Sequence, residues 1–192
     1  AGMLAPFCEC DKTDLFYRFC RDSLYKFPLF LEELVSVSEV PIHFSPAGSL
    51  MPSSNYRDRW EERKAFFIRE DIPHEIWNIN KVRQKAPYLS KDCGEVMWVG
   101  EGQVNNRQMH DSLMQASKKL RIHVLEANVS GFIREDSSIS SAVTDSGDIT
   151  GEKFVLASGS WSSQLARALE VSIPLKPIKG RVSNQEILRF PT

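Results

Sequence analysis

F-V-L-A-S-G-S-W-S, residues 154–162, is an apolar run that leads into a glycine and then into polar residues suited to opening a helix near Ser162. The apolar part reads as a strand over residues 153–157. A strand, glycine, helix junction gathers small residues and free backbone N–H groups at the carboxyl end of a sheet, where α/β folds bind dinucleotides. Alone, the stretch equally describes an ordinary glycine turn between a buried strand and a helix.

Moving outward, residues 122–125, 129–133 and 138–144 read as strands, and Asp145-Ser146-Gly147-Asp148 has the composition of a turn. Val96 to Val99 is a brief strand before a turn at Gly100 and Gly102. Asn105 or Asn106 can then cap a helix that carries Met109, Leu113, Met114 and Leu120 inward. In the first half, Leu15, Phe16, Phe19, Leu24, Phe27, Phe30, Leu31 and Leu34 recur at helical spacing over residues 13–37, behind a cap at Thr13. Pro28 is expected to kink or split that helix. Residues 41–51 are extended and end at an Ala47-Gly48 turn, and residues 56–70 favour a helix whose many charges suggest a solvated face. A short helix over 80–86 stops before Pro87. The alternation of helix and strand predicts a mixed α/β (α+β) fold.

Composition bounds the class. The 192 residues, 42% hydrophobic and 26% charged, are enough for a substantial core. The 24 basic and 25 acidic residues are well mixed along the chain, which argues against nucleic acid or an anionic membrane surface as a partner. No run approaches the roughly 20 apolar residues of a membrane span. Cys8, Cys10, Cys20 and Cys93 have neither zinc-site nor C-x-x-C spacing and read as free thiols of a reducing compartment, the cytoplasm. His43, His74, His110 and His123 are scattered, so no metal is expected.

Several blocks together resemble a known family. A-G-M-L-A-P-x-x-E (residues 1–9), S-L-Y-K-F-P-L-F (23–30), A-G-S-L (47–50), A-P-Y-L (86–89), G-Q-V-N-N-R-Q-M (102–109), V-L-A-S-G-S-W-S (155–162) and P-I-K-G (177–180) occur in the order and at the spacing of the D-amino-acid oxidase and glycine oxidase family. The opening block is most similar to glycine oxidases. The resemblance implies FAD as cofactor, a small amino acid as substrate, and oxidative deamination to an imine with hydrogen peroxide, with a link to thiamine synthesis. It also implies a partial dinucleotide-type FAD-binding domain at 1–40 and 102–176. Residues 41–101, and 177–192 as the start of a strand, would be part of a substrate domain with a mixed or antiparallel sheet.

By the same resemblance Ala1, Gly2 and Met3 lie against the FAD, Met3 near the flavin ring and the substrate. Val129, or Ser130 if the alignment slips by one, meets the adenine through its backbone, and Ala157 and Gly159 flank the phosphate and ribose. Otherwise Met3 is a gap-filling apolar side chain, Val129 an ordinary core strand residue, and Trp161 a packing residue outside the site. The family's G-x-G-x-x-G does not occur, and the resemblance places it before residue 1. The arginine that pairs with the substrate carboxylate is expected beyond residue 192, so the chain reads as a central fragment and no catalytic residue is assigned. A D-amino-acid dehydrogenase and a non-catalytic α/β module stay open as alternatives, and so do both monomer and homo-oligomer.

Overall fold

The computed structural model describes residues 2–136 and 138–175. Ala1 and the strand expected at 177–183 lie outside the described residues. A division after His123 separates two compact units, and all strand pairing among the described residues is antiparallel, in three three-stranded sheets.

The first unit opens with β1 (Met3–Leu4) and α1 (Pro6–Glu9), a single turn that begins at a proline, whose missing N–H is harmless at that position. α2 (Leu15–Ser38) follows. Its cap is Asp14 rather than Thr13: the Asp14 carboxylate accepts from the Tyr17 N–H at 2.9 Å and places negative charge at the positive end of the helix. The split expected at Pro28 does not occur. One proline costs a helix about 3 kcal/mol, and burial of Leu31, Leu34 and Ser38 beyond it offsets that cost in a continuous 24-residue helix. Leu15, Phe16 and Phe19, expected on the apolar face, stay exposed, and Tyr17 is the buried residue of the first turn.

The chain continues through β2 (Phe44–Ser45), β3 (Ser49–Pro52), α3 (Trp60–Arg69), β4 (His74–Trp77), α4 (Ile79–Lys85), β5 (Val96–Val99), β6 (Gly102–Val104) and α5 (Asn106–Lys119). One sheet has the order β1-β6-β2 and the other β3-β5-β4. Gly102, read as a turn residue, is therefore in a central strand, opposite Leu4. Ala47-Gly48, expected as a turn, is an irregular connection between β2 and β3. Gly48 has φ +88°, and a Cβ there would stand 2.3 Å from Trp98 Nε1, so only glycine fits.

The charged segment at 56–70 is not a solvated face. Trp60, Phe66 and Phe67 of α3 join Phe7, Tyr17, Met51, Met97 and Val99 in the main core, and Arg63 is itself buried. Asn105 caps α5, its side chain accepting from the N–H groups of Arg107 and Gln108. The face of α5 that packs inward carries Ser112 and Ala116, while Leu113 and Leu120 are exposed. Small residues win there because α2 and α5 approach closely enough for Ser38 Oγ and Ser112 Oγ to share a buried hydrogen bond of 2.6 Å.

The second unit holds β7 (Val129–Glu135), β8 (Ser138–Thr144) and β9 (Gly147–Thr150), in that order across the sheet. The turn Asp145-Ser146 forms, but it leads into β9, which the sequence did not suggest. A 3-10 turn at Gly159–Trp161 and α6 (Ser162–Arg167) follow, with the helix starting at the expected residue. The strands expected at 122–125 and 153–157 are not formed. A strand needs a hydrogen-bonded neighbour, and among the described residues neither segment has one; Val155 is 90% exposed.

Phe67 is fully buried in the main core. Phe67→Ala should therefore lower the unfolding free energy by about 3–5 kcal/mol, read from the shift of a urea denaturation midpoint at constant slope.

Candidate functional site

Gly2 and Met3 stand at the edge of an open cleft of about 480 Å³ in the first unit. Gly2 itself is shaped by its own chain: with φ +91°, a Cβ on it would lie 2.1 Å from the Val104 carbonyl oxygen, and its own carbonyl accepts from the Val104 N–H. Glycine is required for β1 to lie against β6. Met3 is 63% exposed and lines the cleft together with Ala5, Cys8 and Gln103. The facing wall is Ser49, Leu50, Met51, Asn55 and Tyr56.

The Met3 wall is fixed by two buried charges that the sequence reading did not single out. Glu101 Oε1 accepts from the N–H groups of Phe7 and Cys8, at 2.6 and 2.9 Å, at the start of α1. Arg63 donates from the other end, to the carbonyls of Phe7 at 2.7 Å, Cys8 at 3.2 Å and Cys10 at 2.5 Å. The guanidinium also lies within 5.3–5.7 Å of the ring centres of Tyr56, Phe66 and Phe67. Burial, and after it the neighbouring Glu101 carboxylate, push the Cys8 thiol far above its ordinary value. Burial likewise raises Tyr56. The only sequence signal for Glu101 was an acid standing alone between Gly100 and Gly102; Arg63 had none amid its charged neighbours.

Val129 and Ala157 come together in the second unit, where they line one apolar cavity of about 360 Å³ with Phe132, Ala142 and Leu165. Gly159 follows Ser158 of the same lining; it has φ +55°, and among the described residues nothing lies within 4 Å of where a Cβ would stand. The entry to β7 is held by Asp145, whose carboxylate accepts from both the backbone N–H and the side-chain amide of Asn128. Those hydrogen bonds lower the Asp145 pKa. β7 is an edge strand, and its register slips between Val129 and Gly131, so that Ser130 is the extra residue of a bulge. Among the described residues, edge position leaves backbone N–H and C=O groups on one side of β7 without a strand partner. Ala1 lies outside the described residues.

The chain matches the family described as FAD dependent oxidoreductase (DAO) over residues 1–187, and it belongs to that family. The cofactor of that family is FAD.

Among its relatives, the glycine oxidase of Bacillus subtilis is 26% identical over 94% of this chain and 48% of its own length. The bifunctional protein ThiO/ThiG of Synechocystis is 25% identical over the whole of this chain and 27% of its own length. The crystal structure of glycine oxidase from Geobacillus kaustophilus superposes with a TM-score of 0.79 at 21% identity, covering 90% of this chain and 47% of that one. The chain thus spans about half the length of the glycine oxidases it matches. Among the described residues no group of histidine, cysteine and acidic side chains could hold a metal, and no helix is long and apolar enough to cross a membrane.

The raised Cys8 thiol has a stability consequence. Above its ordinary value of about 9 the unfolded thiol releases a proton that the folded one keeps, so the unfolded state binds fewer protons and stability falls as pH rises. Cys8 should resist iodoacetamide at pH 9 in the folded protein and react once the protein is unfolded in urea, as read by peptide mass mapping.

Proposed function

We propose that this protein takes part in the FAD-dependent oxidation of glycine or another small amino acid, yielding an imine, with oxygen as electron acceptor and hydrogen peroxide as second product. The observation that carries the reading is the Met3 cleft. Its two walls come from segments that we assign to different domains, 3–8 and 102–103 to the FAD-binding domain and 48–56 to the substrate domain. A substrate held between those domains can meet the cofactor from one side and its specificity groups from the other.

In this assignment the FAD-binding domain comprises 1–40 and 102–176, and the substrate domain 41–101 and 177–192. Val129 offers edge-strand backbone to the adenine, with Ser130 of the bulge as the alternative. Ala157 and Gly159 leave room for the ribose and phosphates to approach the main chain. The open space at Gly159 and the apolar slot beside it fit that end of the cofactor. Ala1, Gly2 and Met3 border its redox end. FAD, when bound, supplies the acceptor for the hydride that leaves the substrate α-carbon. The chain's own contribution is positioning: the cleft holds a small substrate beside Met3 and limits its contact with water.

Similarity to proteins named ThiO/ThiG and glycine oxidase supports supply of an imine to thiamine synthesis, and free thiols fit the cytoplasm. The full-length protein should carry flavin absorbance and release peroxide when glycine is added, whereas residues 1–192 alone are expected to be inactive. Gly159→Val, which combines a branched side chain with a positive φ and fills the open turn, should weaken FAD binding by about tenfold or more, the effect of 1.4 kcal/mol. Absence of flavin from the wild-type protein, even after incubation with excess FAD, would contradict the proposal.

A further inference from the structure

We infer that Glu101 and Arg63 are positioning residues for the Met3 cleft, acting through α1 and touching neither substrate nor cofactor. The inference rests on the cleft being the substrate site. α1 is one turn long, too short to hold its shape unaided, yet it joins Met3 and Ala5 to Cys8 along one wall. Its exposed peptide groups are met at both ends by buried charges. The Glu101 carboxylate takes the N–H groups of Phe7 and Cys8, and the Arg63 guanidinium takes the carbonyls of Phe7, Cys8 and Cys10.

Charge and dipole agree, with negative charge at the amino end of the turn and positive charge at the carboxyl end. Among the described residues Glu101 Oε2 and Arg63 Nε have no hydrogen-bond partner, so each group keeps one polar atom unsatisfied there. A neutral amide at 101 therefore keeps the shape and one acceptor while losing the charge that grips the two N–H groups.

The test uses Glu101→Gln and Arg63→Lys in the FAD-loaded protein, with two readouts. Glycine turnover should show KM raised about tenfold with kcat within about twofold, as expected when binding is lost equally in ground and transition states. Hydrogen exchange should quicken in the peptide covering residues 3–10 and stay unchanged in peptides from β7 and β8. A lowered melting temperature with KM within twofold of wild type and unchanged exchange at 3–10 would overturn the inference, leaving the pair as ordinary core residues. If wild type itself fails to turn over glycine or any small amino acid, the functional reading falls. The exchange result then decides on its own whether the pair positions α1.

Discussion

Glu101 is the residue on which three parts of the first unit converge. Its N–H donates to the Val99 carbonyl at the end of the β3-β5-β4 sheet, and its carbonyl accepts from Gly48 in the connection between the two sheets. Its carboxylate grips α1, and the next residue begins β6, the centre of the other sheet. A buried carboxylate is costly unless its hydrogen bonds repay the lost water. Here two short bonds to peptide N–H groups do so, helped by the dipole of the turn. Arg63 repays its own burial in the mirror fashion, through carbonyls and the faces of three aromatic rings. Among the described residues the two side chains form no direct ion pair. Each charge is balanced by α1, which is why so short a helix holds a defined place.

The cleft beside Met3 inherits its shape from that arrangement. Gly2 lets β1 settle on β6, α1 carries the chain away at a fixed angle, and Gly48 turns the opposite wall back toward it. The second unit follows a different logic. Its sheet has an open edge at β7, a bulge at Ser130 and an apolar slot, all of which leave backbone and space free rather than filled.

Much of this was legible in the residues. The existence of α2, β5, β7 and β8, the Asn105 cap and the start of α6 follow from local rules of periodicity and capping. The cap at Asp14 instead of Thr13 is a local miss, and the larger failures share a physical cause, dependence on a distant partner. Residues 153–157 and 122–125 have strand-like side chains but no neighbour to pair with among the described residues. Arg63 and Trp60 look solvated in a run of charges, and only the arrival of Phe7, Met51 and Met97 from elsewhere in the chain buries them. Ser112 and Ala116 face inward on α5 because α2 comes close, a fact that helical periodicity cannot contain. The family resemblance pointed to Gly2 and Met3, which border the cleft, whereas the two charges that hold α1 beside them carried no such signal.

We propose that the edge of β7 receives the adenine of FAD, with Ala157 and the turn at Gly159 beside the ribose and phosphates. This arrangement is tested most directly by photolabelling with FAD that carries an azide on its adenine, followed by peptide mapping. The account predicts label in peptides containing Val129 or Ala157, suppressed by excess unmodified FAD. Label confined to other peptides, or insensitive to competing FAD, would contradict it.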